Sequence, residues 1–508
     1  MFSRVFSAAI CGVDAVAVSV EADISYGLPG MTMVGFLSAQ VKEAQDRVRT
    51  AVRNAGITLP PRRITVNLSP ADIRKEGSRF DLAIAAALLT AAEIIPEGRI
   101  RDTMIAGELS LDGAVLPVSG MLATALCAKK EGIRTMILPK ENTPEAAAAG
   151  DVSLIGVESL EELIEYLRDG VIPDLPQVPP GPERKEYDVD FSEIRGQASV
   201  KRAALIAAAG FHNFLMVGTP GAGKTMIAKR IPTILPPLTR EEKMEVARIH
   251  SIAGRFHTDG SVISERPFRS PHHTISPQAL AGGGAHPVPG EITLAHRGVL
   301  FLDEMPEFSR QSLEILRQPL EDREIVIART AGTFHFPADF LLVAAMNPCP
   351  CGYFPDRNKC MCSPAAVSRY RQKISRPLLD RIDLCSRVPR VTYEMLREKE
   401  GAETDSAAMR ADVMRAVRIQ EERFAGTEYH FNANIPAARV SEFCRMTQEA
   451  ELFLKRVYSG LEMTARSYHR IIRVARTIAD LEEEEIIMKK HIEEAVFYRV
   501  IEEQQGGI

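Results

Sequence analysis

Eight consecutive residues, Gly218-Thr219-Pro220-Gly221-Ala222-Gly223-Lys224-Thr225, constrain this chain more than any other stretch. They match Gly, four residues, Gly-Lys-Ser/Thr without exception, and their flanks fit as well. Phe214-Leu-Met-Val217 is an apolar run suited to a buried strand, and Met226 to Ile231 opens a helix. Such a loop turns successive backbone N–H groups inward around phosphate oxygens, and the helix behind it adds the positive end of its dipole. Lys224 is placed to reach the β- and γ-phosphates and Thr225 to ligate Mg²⁺. The expectation is an α/β nucleotide-binding core.

Two further apolar runs end in polar residues of the right kind. Gly298-Val-Leu-Phe-Leu delivers Asp303 and Glu304. Asp303 is expected to hold Mg²⁺ through water, and Glu304 to orient and deprotonate the attacking water. Phe340 to Met346 ends at Asn347, whose neutral amide suits contact with both that water and the γ-phosphate. An Asn capping a turn before Pro348 is the alternative on local signals.

At 508 residues the chain has room for about three domains. The segment PDLPQVPPGP, residues 173 to 182, carries five prolines in ten positions, which propagate neither a helix nor a central strand. The division read from it is residues 1–172, a linker 173–186, an ATPase core 187–390 and a helical lid 391–508. Before the linker, β-like runs (Ala15 to Val20, Arg63 to Asn67) mix with helix-like ones (Ser38 to Asn54, Phe80 to Ala92, Gly120 to Lys130). After Pro389, apolar residues at helical spacing predict helices near Asp405–Phe424, Ala450–Ser459, Thr464–Leu481 and Met488–Glu503. No apolar run reaches the roughly 20 residues of a membrane helix, and Asp14 interrupts a weakly signal-like start, so a cytoplasmic protein is expected.

The stretches FSEIRGQASVKRAALIAAAGFHNFLMVGTPGAGKT, GVLFLDE and, at 378–384, LLDRIDL resemble the AAA+ ATPases of the Mg-chelatase-like YifB/ComM family, and the likeness covers most of the chain. The resemblance implies a homo-hexameric ring, ATP and Mg²⁺, and, as for ComM-type proteins, branch migration on DNA. It also implies that Arg381 is an arginine finger for a neighbouring subunit and that Arg466, in Met-Thr-Ala-Arg-Ser-Tyr, is a second sensor acting within its own chain. A fixed guanidinium in either place stabilises charge spreading over the γ-phosphoryl group. Where the family pattern has Ser-Gly-Pro, this chain has Ser375-Arg376-Pro377. Arg195-Gly196-Gln197 falls where such proteins build the adenine pocket.

Residues 107–142 resemble the proteolytic domain of Lon, which raises a second function class. Lon-type cleavage needs a serine nucleophile activated by a lysine. Laid against that pattern, the lysine position falls on Leu122 and the serine position on Arg79, with Ser78 one place off. The expectation is a Lon-like α+β fold without peptidase activity. The remaining alternative is a chelatase-type motor that drives metal insertion with partner subunits.

Four of the eight cysteines, Cys349, Cys351, Cys360 and Cys362, fall within 14 residues. Four thiolates enclose one tetrahedral Zn²⁺ with no open position, making a structural site. Inert buried thiols and a redox role remain open beside that reading.

The net charge of -5 excludes a uniformly basic nucleic-acid surface but not a local one. Two places carry local arginines. Residues 264–298 hold Arg266 and Arg269, four histidines without compact ligand spacing, and Gly282-Gly-Gly284; the resemblance makes this an insertion projecting into a ring pore. Residues 324–336 read as a β-hairpin with Arg329 near its tip. Six copies of such an arginine would grip phosphates without reading bases.

Overall fold

The computed structural model describes residues 1–173, 187–256, 265–284, 287–329, 332–356, 358–391, 404–460 and 463–506. The Pro-rich segment read as a linker therefore lies almost wholly outside the described residues.

The first 169 residues build a seven-stranded sheet. Its strands are β1 (Phe2–Cys11), β2 (Asp14–Ser25), β3 (Gly30–Val34), β4 (Arg63–Ser69), β5 (Thr103–Ile105), β6 (Thr135–Pro139) and β7 (Ser153–Val157), in the spatial order β3-β4-β2-β1-β5-β6-β7. β1–β2 and β2–β4 are antiparallel and the other pairs parallel. Strand β2 alternates buried and half-buried residues over most of its length, as a sheet with one covered face requires. Three helices pack on it: α1 (Ala39–Asn54), α2 (Asp81–Ala91) and α3 (Met121–Lys130). Every residue of α2 is buried, which its sequence DLAIAAALLTA permits because it is apolar all round. Its one charge, Asp81, is held by Arg47 of α1 through two hydrogen bonds of 2.8 and 3.0 Å.

The nucleotide-type core follows with α4 (Ala198–Gly210), β8 (Phe214–Gly218), α5 (Lys224–Ile234), α6 (Arg240–Ile252), β9 (Phe268–Arg269), β10 (Val299–Leu302), a hairpin β11 (Glu324–Arg329) and β12 (Gly332–Pro337), β13 (Leu341–Met346) and β14 (Leu384–Val388). The central sheet runs β9-β10-β13-β8-β14 and is parallel throughout. β8, β10 and β13 are buried along their whole length, in keeping with apolar runs covered on both faces. Because all strands point the same way, their carboxyl ends gather the phosphate loop, Asp303 and Asn347 on one edge.

Among the described residues four long helices follow: α7 (Ser406–Arg423), α8 (Gln448–Gly460), α9 (Ala465–Leu481) and α10 (Lys489–Gly506). They share one hydrophobic cluster with α4 and the β8 face of the central sheet. Asp383, just before β14, ties the two together: it accepts the Asn213 backbone N–H at 3.0 Å and faces Arg470 of α9 at 3.5 Å. Burial opposes its ionisation, but hydrogen bonding to His212 and the charge of Arg470 hold the carboxyl down to about 2. The sign follows from linkage. A depressed folded-state pKa gives stability that is complete above the ordinary carboxylate pKa, about 4, and is lost as pH falls through about 2. Asp383→Asn leaves buried arginines uncompensated and is expected to cost about 3 kcal/mol or more, read as a lowered thermal midpoint at neutral pH. No helix among the described residues is long and apolar enough to cross a membrane.

Candidate nucleotide site

The phosphate loop leaves β8 at Gly218 and enters α5 at Lys224, with Gly223 at φ +91°, a conformation open chiefly to glycine, so that the first N–H groups of the helix face inward. The Lys224 ammonium donates to the Gly218 and Thr219 carbonyls at 2.7 and 3.0 Å and to Asn347 Oδ1 at 3.1 Å. Burial pushes it below its usual range, against the pull of Asp303 and Glu304. Thr225 Oγ1 donates to Asp303 Oδ2 at 2.7 Å. Thus four residues from three separate sequence runs meet at one sheet edge.

These residues fit a Mg²⁺–triphosphate. The side-chain oxygens of Thr219 and Gln197 are buried and have no hydrogen-bond partner, and the Lys224 ammonium rests on the loop's own carbonyls. Thr225 and Asp303 supply the adjacent oxygen ligands that Mg²⁺ prefers. Gln197 donates to the Ala222 and Pro389 carbonyls at 2.9 and 3.1 Å, so the Arg195-Gly196-Gln197 segment lies against the loop.

Glu304 stands apart from this knot. Its backbone is left-handed at φ +50° and its side chain is 55% exposed, with His273 Nδ1 at 3.7 Å. A carboxylate held at the rim, free of the Lys224–Asp303 contacts, is available to a water beside the γ-phosphate. His273 is a neighbour that spacing arguments missed, since the histidines of 264–298 offered no ligand pattern. His296 has a different role: buried, its Nε2–H donates to Glu245 at 3.1 Å and its Nδ1 accepts the Asp339 N–H at 3.0 Å, bracing the core.

The two remaining arginines lie at the other end of the sheet. Asn213 donates to the Arg381 carbonyl at the amino end of β8, about 16 Å of strand away from the phosphate loop. Arg381 pairs with Glu321 at 2.6 Å, and Arg466 pairs with the same oxygen at 3.1 Å. Burial resists ionisation of Glu321, yet the Arg381 hydrogen bond and both positive charges hold its carboxyl below the usual range. The start of α9, expected to bring Arg466 over its own phosphate loop, thus lies beside Arg381, and Arg470 of the same helix donates to the Ile382 carbonyl at 3.3 Å. Arg376 opens the short helix Arg376–Leu379 on this same edge.

The arginines read as DNA contacts separate clearly. All three guanidinium nitrogens of Arg266 are used within the core, donating to the Pro236 and Arg297 carbonyls and to Glu242, so it is a structural residue and does not face a ligand. Arg269 is spanned by both oxygens of Glu291 at 2.6 and 2.8 Å, which cancels its charge locally. Arg329 is exposed at the end of β11, where its Nε donates to the Gly284 carbonyl at 3.4 Å. The hairpin and the glycine-rich insert therefore meet at this arginine.

At the Lon-like segment, Leu122 is buried in α3 and Arg79 is buried with its guanidinium on the Ser119 carbonyl. The Ser78 hydroxyl donates to Glu108, an acid, rather than facing an amine. Glu145 accepts from the Leu122 N–H at 3.1 Å and from the Ser251 hydroxyl at the end of α6. The place of a peptidase dyad is thus occupied by contacts within the first unit and by one, Glu145 with Ser251, to the core.

The four thiols do converge: all Sγ atoms lie within 4.8 Å of one another, with Cys349 to Cys351 at 3.4 Å and to Cys360 at 3.7 Å. A tetrahedral ion at about 2.3 Å from each sulfur needs sulfurs about 3.8 Å apart.

A parallel sheet carrying a phosphate loop, an Asp-Glu strand end and an Asn against the loop lysine at one edge defines an AAA+ P-loop ATPase. Models of magnesium chelatase subunit ChlI match residues 20–142 and 190–396, and one of its C-terminal region matches 403–499. The chain is 40% identical over 500 residues to the uncharacterized protein YifB of Escherichia coli K12, covering 98% of this chain and 97% of that one. It is 41% identical over 509 residues to competence protein ComM of Haemophilus influenzae, with the same coverage. Lon protease of Chloroflexus aurantiacus matches 28% of the chain at 30% identity, spanning 19% of that protease. The chain belongs to the YifB/ComM Mg-chelatase-like family, with a Lon-like α/β unit ahead of the ATPase core.

Proposed function

We propose that this chain is a ring-forming, ATP-hydrolysing motor that acts on DNA in the cytoplasm, as a homo-hexamer that migrates branches. The observation that carries the ring is the division of the site. Lys224, Thr225, Asp303, Glu304 and Asn347 sit at one edge of the sheet and Arg381 and Arg466 at the other. A subunit so built holds Arg381 and Arg466 away from its own phosphate loop, and in a ring Arg466, exposed, and Arg381, released from Glu321, would face a neighbour's nucleotide. The chain divides in this reading as 1–172, 173–186, 187–390 and 391–508.

Bound Mg²⁺ would neutralise charge between the β- and γ-phosphates. Lys224 and the loop N–H groups hold the phosphates, Thr225 and Asp303 hold the metal, Asn347 orients the water, and Glu304 takes its proton. The cysteines Cys349, Cys351, Cys360 and Cys362 hold a structural Zn²⁺ in the same reading.

DNA is supported by the exposed Arg329 on a hairpin that touches the glycine-rich insert, and by the likeness to ComM. The test is the ATPase rate with and without single-stranded or forked DNA. Stimulation is expected, and Arg329→Ala is expected to reduce the stimulation severalfold while the DNA-free rate stays unchanged. Indifference to DNA would favour the second reading, a chelatase-type motor with partner subunits, which the three matches to a magnesium chelatase subunit support.

A further inference from the structure

Resting on the reading of the four cysteines as zinc ligands, we propose that the metal-bound loop braces the phosphate loop and thereby sets how tightly the protein holds ATP. The cysteine loop touches the nucleotide site at two points. Gly352, between Cys351 and Tyr353, lies so close to Pro220 that a Cβ at position 352 would stand 2.4 Å from Pro220 Cδ and 2.6 Å from Cγ. Its φ of +85° is one that other residues rarely adopt. Two residues before Cys349, Asn347 accepts the Lys224 ammonium at 3.1 Å. One short loop therefore fixes both a residue of the phosphate loop and the residue that orients water.

That loop is held from outside by Arg371, which lies over the Phe354 ring at 5.2 Å and donates to the Pro348 carbonyl at 3.4 Å, and from within by the thiols. Cys349 and Cys360 are buried with Val367 in a small separate cluster, on which Cys351, Phe354 and Cys362 pack. Neither helix nor strand is formed from Pro348 to Ser363 among the described residues. A cluster of this size cannot order such a stretch by apolar burial alone, so a metal that joins four thiolates supplies the order, as in other small metal-stapled units. The Phe354 N–H donates to Cys349 Sγ at 3.3 Å, a bond that stabilises a thiolate in a metal site. A Cβ added at the neighbouring Gly221 would meet open space, whereas one at Gly352 would meet Pro220. Loosening the brace returns conformational freedom to the phosphate loop, and ATP must then order it on binding.

Metal content and ATP affinity of the full-length protein separate the two layers of this proposal. Elemental analysis is expected to find one zinc per chain. Removing it with a zinc-selective chelator, Mg²⁺ being kept constant, is expected to weaken binding of a fluorescent ATP analogue about tenfold, with recovery on adding Zn²⁺ alone. Protein purified without metal loss that holds under ~0.2 zinc per chain would overturn the zinc reading and the brace with it. Stoichiometric zinc whose removal leaves ATP affinity unchanged would overturn the brace alone. Gly352→Ala keeps all four thiols and presses on Pro220, so it is expected to retain zinc and bind ATP several times more weakly. Wild-type ATP affinity in that variant would also overturn the brace, even where cysteine variants fail to fold.

Discussion

Glu304→Gln will bind ATP with nearly wild-type affinity and hydrolyse it about 10²–10⁴ times more slowly. The amide keeps the size and the hydrogen-bonding reach of the carboxylate but accepts no proton, so an attacking water is still positioned yet not activated. Binding survives because the groups that hold the nucleotide do not pass through this side chain: Lys224 is anchored on Gly218, Thr219 and Asn347, and Asp303 is tied to Thr225. Single-turnover hydrolysis beside equilibrium nucleotide binding reads both halves. Normal turnover would remove Glu304 from the chemistry and sink the assignment of this edge. Asp303 differs in kind from its neighbour. Its carboxylate already accepts from Thr225, so changing it disturbs the metal position and lowers binding as well as rate.

The edge that binds phosphate was legible because each of its parts is local in sequence. The phosphate loop, the strand ending in Asp303-Glu304 and the strand ending at Asn347 each announce themselves within about eight residues, and parallel strands then bring their ends together automatically. The helices after Pro389 were equally plain, since amphipathic spacing is a local property; α9 runs Ala465–Leu481 against an expectation of Thr464–Leu481. What the sequence hid was pairwise. Arg266 looks like a surface charge in a His- and Gly-rich segment, and only the fold shows Glu242 and two carbonyls enclosing it. Arg269 meets Glu291 from 22 residues away, and Arg466 meets Glu321 from a different layer. Gly352 against Pro220 is the extreme case: neither glycine nor proline carries a charge or a pattern, and only close approach in space reveals the contact.

Arg381→Ala will lower the rate by about 10³–10⁵ while sparing ATP binding, and the loss will be recoverable by mixing subunits. Arg381 starts from the far edge of its own sheet, about 16 Å of strand from its own phosphate loop, so in the proposed ring its guanidinium would serve a neighbour's γ-phosphate. In the isolated subunit that charge is parked on Glu321, which also holds Arg466. A triphosphate arriving from the adjacent subunit competes with one carboxylate for two guanidinium groups, and the greater charge of the phosphates draws both across. Lys224→Ala subunits cannot bind nucleotide but keep an intact arginine pair. Arg381→Ala subunits keep an intact phosphate edge. Each variant alone is expected to be inactive. Mixed before assembly, they form interfaces in which a Lys224→Ala subunit lends Arg381 to the nucleotide of an Arg381→Ala subunit, and a measurable fraction of wild-type hydrolysis returns. Absence of any recovery, in mixtures shown by sizing to co-assemble, would place Arg381 in a structural role and leave Lys224 as the positive group at the γ-phosphate. Arg466→Ala subjected to the same mixing carries the further consequence of the shared Glu321: its activity must also be rescued in trans, whereas a sensor serving its own chain could not be.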